Sequence, residues 1–208
     1  MVATAYDGAG RIQQVNNAAT ATRYGEVSEY AEHGAIKTLK LGGPNTGTEV
    51  MQETWAFNNR LQPTETRLRA AGSAQNLLSL QYFYCASQAA SCTNNNGNMR
   101  SQSIGYDAVG GEAAAFTISQ AYGYDKLNRL TTFTEGATSE TNNYDSWGNR
   151  WATSSGLLVD NLTPNNAGWF NQTNDNRMFG VGYDAVGRAE QVRQGVLRKD
   201  SLERRSRL

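Results

Sequence analysis

Apolar residues along this chain come in short groups rather than in long helical stripes. Aromatic and β-branched positions alternate with polar ones over five or six residues, and Gly and Asn punctuate the groups at close intervals. That pattern predicts many short strands joined by tight turns. Two segments are candidate helices, Thr66 to Leu80 and Gly111 to Gln120, each short and interrupted by Gly or Ser. The chain as a whole reads as mostly β.

The strongest signal is an internal repeat. Tyr-Asp recurs at Tyr6-Asp7, Tyr106-Asp107, Tyr124-Asp125, Tyr144-Asp145 and Tyr183-Asp184. Three copies continue to a Gly or Asn and then Arg: Gly10-Arg11, Asn128-Arg129 and Gly187-Arg188. A fourth, with Gly148 and Arg150, reads as carrying one extra residue, and the Tyr106 copy lacks the arginine. With the tyrosine as position zero, apolar residues recur at +6 and +9, as Ile12 and Val15, Leu130 and Phe133, Ala189 and Val192. The same ruler finds weaker copies starting at Tyr30, Trp55 and Tyr84, the last with its Gly97-Asn98 pair displaced, and places a degenerate copy near Leu162. About nine copies result, each long enough for two strands and two turns. One repeat is one antiparallel hairpin.

Turn chemistry explains the spacing. Asp at the first turn position accepts from amides further along, and Gly or Asn at the fourth tolerates the positive φ of a type I turn followed by a bulge. Tyr supplies an apolar body with a polar tip, and Arg can cover that ring or pair with Asp. Positions +6 and +9 differ by an odd number and fall on opposite faces of a regular strand, so either both faces are partly covered or a bulge intervenes. A lone hairpin cannot bury its own face, so neighbours must stack.

Composition narrows the possible functions. The 208 residues are 38% hydrophobic and 18% charged, and Gly, Asn, Thr, Ser and Gln fill the shortfall. Nineteen basic and nineteen acidic residues balance, which argues against a nucleic-acid partner. No apolar run is long enough to insert in a membrane, and the first residues lack the basic and apolar regions of a signal peptide. A single histidine, His33, and the absence of a phosphate-binding loop or a metal-ligand cluster lead us to expect no enzyme activity, no cofactor and no metal.

The Tyr-Asp-x-x-Gly/Asn-Arg-Leu/Ile pattern, best in Tyr124 to Phe133 and Tyr6 to Val15, resembles the YD-repeat or Rhs (rearrangement hotspot) family. The resemblance covers Tyr6 to about Gly195. It implies a β ribbon that spirals into a hollow shell with open edges here, and in the toxin members that shell encloses a cargo. Carbohydrate binding has also been proposed for such repeats. Family shells run to several hundred residues, and the Asp-Pro-x-Gly boundaries of many are not found, since Pro44, Pro63 and Pro164 do not follow Asp. The resemblance thus implies a partial shell: residues 1–195 as the repeat region and 196–208 as a charged, disordered tail. Flanking repeats or a toxin cargo of a larger extracellular or cell-surface protein would be its partners. The leading expectation is a non-enzymatic structural segment of a shell or scaffold. The alternative is a carbohydrate-binding, adhesive surface module.

Other candidates are weighed against plainer readings. Cys85 and Cys92 lie in the displaced turn of the Tyr84 copy, where a disulfide would staple an enlarged loop; two free thiols are the other reading. His33 occupies a turn position and reads as exposed. The runs Asn94 to Asn98 and Asn171 to Asn176 read as plain turns rather than calcium sites. Trp147 and Trp151, four apart across a turn, are candidates for stacking on sugars; otherwise they fill sheet surface. The tail reads as solvated.

Overall fold

The computed structural model describes residues 1–89, 91–108, 114–155, 164, 166–171, 177–178, 181–187 and 189–192. The chain divides into two compact units, Met1–Tyr122 and Gly123–Leu208. The first holds β1 (Val2–Tyr6), β2 (Ile12–Asn17), β3 (Thr22–Tyr30), β4 (Ile36–Leu41), β5 (Met51–Phe57), β6 (Pro63–Ala70), β7 (Asn76–Phe83), β8 (Ser101–Tyr106) and most of β9 (Phe116–Tyr124). Strand order in the sheet equals sequence order, and every pairing is antiparallel. The sheet is open: β1 has one neighbour, β2.

The second unit contains β10 (Leu130–Glu135), β11 (Thr138–Tyr144) and β12 (Arg150–Ser155), also antiparallel and in sequence order. It also has two small hairpins, β13 (Phe170–Asn171) with β14 (Arg177–Met178), and β15 (Val181–Tyr183) with β16 (Ala189–Val192). Helix among the described residues is limited to two 3-10 turns, Ala86–Gln88 and Ala167–Trp169. The mostly β expectation is therefore met, and the two candidate helices are corrected. Thr66 to Leu80 is the end of β6, a turn and the start of β7. Residues 116–120 belong to β9, while 109–113 lie outside the described residues. The physical reason is alternation: Thr66 and Leu68 face one side, Arg67 and Arg69 the other.

A bulge resolves the odd spacing of +6 and +9. Tyr6 pairs with Ile12, Ala5 with Gln14 and Thr4 with Val15, so Gln13 is the extra residue. Tyr6 and Thr4 share a face, and their partners Ile12 and Val15 therefore share it too. The same skip occurs at Lys37 and at Thr64, which brings Ile36 to the side of Leu39 and Pro63 to the side of Thr66.

Following the register across the first unit gives rows of apolar residues on that face. Val15, Gly25, Leu41, Met51 and Ala70 form one row; Val27, Leu39, Leu68 and Leu78 another; Trp55, Thr66, Leu80, Ile104 and Ile118 a third. Glu53 interrupts the second row between Leu39 and Leu68, and burial raises its carboxyl above the ordinary value. The opposite face carries Thr38, Lys40, Gln52, Thr54, Arg67 and Ser79. The apolar face has no second layer among the described residues. Val27 on this face, Cys85 in the loop after β7 and Ala152 of the second unit are the buried hydrophobic side chains among the described residues, and most of the apolar rows stay half-buried. Open depressions of about 480 Å³, floored by Ile12, Val15, Val27 and Leu39, and about 430 Å³, beside Ile36, Trp55 and Thr66, lie along it.

Candidate functional site

The site that the sequence singled out is a turn, and the structure builds it from a fixed set of bonds. In the first copy the Asp7 amide donates to the Arg11 carbonyl at 2.8 Å, and the Gly10 amide to the Asp7 carbonyl at 3.0 Å. The Asp7 carboxylate accepts from the Ala9 and Arg11 amides, both at 2.9 Å, and from Arg11 Nε at 2.7 Å. Gly10 has φ +78°, which glycine adopts without a Cβ penalty.

Asp125 repeats the arrangement with Leu127 and Arg129, and Asn128 takes the left-handed place at φ +61°. At Asp145 the acceptor role is the same, but Asn149 stands where the others have arginine and donates to the carboxylate at 2.8 Å. No residue is inserted in that copy: Gly148 and Asn149 hold +4 and +5. Arg150 is the first residue of β12 and donates to Asn142. The Arg11 amide and guanidinium hold the Asp7 carboxyl below its ordinary value, and the Arg129 amide and guanidinium do so at Asp125. At Asp145 burial works upward, yet the donors from Asn149 and Trp147 prevail. Asp184 keeps the turn bonds to Val186 and Gly187; Arg188 lies outside the described residues.

The copy read as starting at Trp55 starts at Phe57. Asn58 accepts from the Arg60 and Gln62 amides and donates to the Gln62 side chain at 2.9 Å, so a neutral Asn–Gln pair, with the side-chain bond reversed, replaces the Asp–Arg pair. Leu61 takes the left-handed place at φ +63° without glycine. The Tyr30 copy has Gly34 at φ +88° and His33 exposed in the turn, edge-on to Phe57 at 4.7 Å.

Turns of successive copies are linked. Arg11 lies over the Tyr30 ring at 4.0 Å, and the Tyr30 hydroxyl donates to the Ile12 carbonyl. Arg129 lies over the Tyr144 ring at 4.2 Å, and the Tyr144 hydroxyl donates to the Leu130 carbonyl at 2.8 Å. Tyr84 donates to the Pro63 carbonyl at 3.0 Å. The rule is common to all three: a tyrosine reaches the carbonyl at +6 of the preceding copy. Tyr183 uses a variant, with Arg177 over its ring at 4.9 Å and its hydroxyl accepting from the Met178 amide. The degenerate copy expected near Leu162 lies outside the described residues. Together these bonds form a clasp between neighbouring hairpins, which the notion of an isolated turn does not capture.

Tyr106-Asp107 has a different place. Tyr106 ends an even-numbered strand, at the other end of the sheet from Tyr6 and Tyr30, and Asp107 accepts from the Asn76 amide and side chain; residues 109–113 lie outside the described residues. Cys85 and Cys92 form a disulfide with Cα atoms 5.8 Å apart. In that enlarged loop the buried Asn95 bonds to Gln62 of the preceding turn at 2.7 Å, which sets the loop on its neighbour. Trp147 protrudes from its turn, 64% exposed, and Trp151 lies half-buried on β12 opposite Asn143. The second asparagine-rich run falls outside the described residues from 172 to 176. Among the described residues no group of three His, Cys, Asp or Glu side chains is placed to hold a metal, and no helix is long and apolar enough to cross a membrane.

No protein-family model matches the chain, and no curated protein matches it. Among solved structures, a chain of the Photorhabdus luminescens Tc holotoxin pore aligns with 91% of this chain at 15% identity and a TM-score of 0.38. This chain spans 12% of the length of that one.

Proposed function

We propose that this chain is a non-enzymatic structural segment, part of a shell or scaffold in a larger exported or cell-surface protein of the YD-repeat type. The observation that carries the reading is the clasp, which ties three pairs of successive hairpins together, through Tyr30, Tyr84 and Tyr144. The apolar face adds to it. Rows from Val15 to Ala70 and from Trp55 to Ile118 have no covering layer among the described residues, as suits a wall whose inner side faces another polypeptide. Cargo of a toxin kind is the occupant this role would give that face. A photo-cross-linking residue at Leu39 or Leu80 in the native parent protein tests the idea. Capture of another segment of the same protein is expected; capture of nothing, with both positions open to solvent, overturns it.

A second reading, a carbohydrate-binding surface module, draws on the exposed Trp147. Glycan binding that survives high salt and disappears in Trp147→Ala would favour it over the wall.

A further inference from the structure

One charge interrupts the apolar face of the first unit. Glu53 lies in the middle of β5, with Met51 and Trp55 two residues away along the strand and Leu39 and Leu68 opposite it on β4 and β6. Strand alternation and cross-strand pairing put all four on the same side of the sheet as the carboxylate. The other acidic residues of β1 to β9 are paired on the opposite face. Glu26 takes Arg23 Nε at 2.8 Å, Glu29 takes Lys37 Nζ at 2.6 Å, and Glu65 takes the Arg67 guanidinium. Lys40 also reaches Glu26 at 3.9 Å, and Arg69 donates to Asn76 at 2.8 Å, so the bases nearest to Glu53 in the register are engaged on that other face. Glu53 itself has no hydrogen bond and no cation among the described residues.

The surface beside it is hollowed. The depression of about 480 Å³ reaches Leu39, the cross-strand neighbour of Glu53, and the one of about 430 Å³ reaches Trp55, its neighbour along β5. Ile36 lines both. The sheet alone already desolvates the group enough to raise its carboxyl. A purely apolar cover would bury a lone carboxylate, which is unfavourable unless a cation or a donor comes with it.

We infer that the occupant of this face is a polypeptide segment that brings one arginine or lysine to Glu53, with apolar side chains on either side of it seated in the two depressions. The inference rests on the wall reading above and adds the chemistry of the occupant. A charge pair at an interface fixes register more than it adds affinity, so Glu53 sets where along the face the segment lies.

Short peptides selected from a random displayed library on the 208-residue chain test it. Enriched peptides should carry one Arg or Lys between apolar residues. They should bind Glu53→Gln and Glu53→Leu about tenfold more weakly, because a charge-assisted bond is lost. Replacing the basic residue of the peptide by norleucine should cost a similar factor on the natural chain and nothing on Glu53→Leu, and that coupling places the pair. Enriched peptides without a basic residue overturn the inference, as do equal or tighter binding to Glu53→Leu and a selection that enriches nothing. Cross-linking from Leu39 in the native parent protein separates the two readings. A captured segment with no Arg or Lys opposite Glu53 leaves the wall standing and overturns this inference alone; capture of nothing overturns both.

Discussion

If the clasp works through the aromatic ring as well as the hydroxyl, a double-mutant cycle will separate the two. The pair Arg129 and Tyr144 suits it, because both lie in the second unit and three bonds define their geometry. The guanidinium is 4.2 Å from the ring centroid, Arg129 Nε is 2.6 Å from Asp125 Oδ2, and the Tyr144 hydroxyl is 2.8 Å from the Leu130 carbonyl. Tyr144→Phe removes the hydroxyl bond alone, and a neutral hydrogen bond of this kind contributes about 1 kcal/mol. Tyr144→Leu removes the ring too, and a partly exposed cation over an aromatic face adds about 0.5–1 kcal/mol.

Arg129→Gln completes both cycles. The coupling between positions 129 and 144 should be about 0.5–1 kcal/mol with Leu at 144 and near zero with Phe, since Phe keeps the face the arginine covers. Urea unfolding followed by tryptophan emission is the assay, because Trp147, Trp151 and Trp169 all belong to the second unit. Coupling of the same size with Phe as with Leu would refute the ring's part in the clasp. So would no coupling with either.

Three further outcomes follow from other positions. Leu61 holds a left-handed conformation at φ +63° with its side chain 57% exposed, so Leu61→Gly should stabilise the first unit by up to about 1 kcal/mol in the same denaturation assay. The carboxyls of Asp7 and Asp125 lie below their ordinary value of 3.8, so their contribution is complete above that pH and is lost as pH falls through the lowered folded-state values. The urea midpoint should therefore drop in the acid range below about pH 4, and Asp7→Asn with Asp125→Asn should flatten that drop; an unchanged profile would count against the turn bonds. Opening the Cys85–Cys92 bridge by Cys92→Ser should cost about 2.5 kcal/mol by loop entropy, read as earlier protease cleavage within residues 84–100.

Much of the turn was legible because its chemistry is local. Asp7, Gly10 and Arg11 are within five residues of each other, and backbone rules alone say what Asp and Gly do there. The copy at Phe57 is hidden in the sequence because Asn58 and Gln62 close the turn without charge and Leu61 occupies the left-handed place of glycine, so the pattern aligns two residues early, at Trp55. Tyr106-Asp107 misled for another reason. The dipeptide is the same, but it ends an even-numbered strand, and only counting strands shows which end of the sheet it occupies. The meeting of Arg11 with Tyr30 was out of reach, because it depends on the register of β1 to β3, set by two bulges.

The uneven period of the repeat also has a structural origin. At the clasped end, the connections from Tyr6 to Ile12, Tyr30 to Ile36, Phe57 to Pro63, Tyr124 to Leu130, Tyr144 to Arg150 and Tyr183 to Ala189 each hold five residues. At the other end they vary: four residues between β2 and β3, nine between β4 and β5, five between β6 and β7, two between β10 and β11. A residue added at the clasped end would carry the +5 side chain away from the next tyrosine, whereas the other end bears no such clasp among the described residues. The buried Arg23 binds the carbonyls of Gly42, Asn45 and Gly47, and so holds the longest of these loops by a contact of its own. The enlarged connection after β7 breaks the five-residue rule, and it is the one that carries a disulfide and the Asn95–Gln62 bonds. Where the turn cannot set the spacing, covalent and side-chain ties take over, and Tyr84 still reaches Pro63.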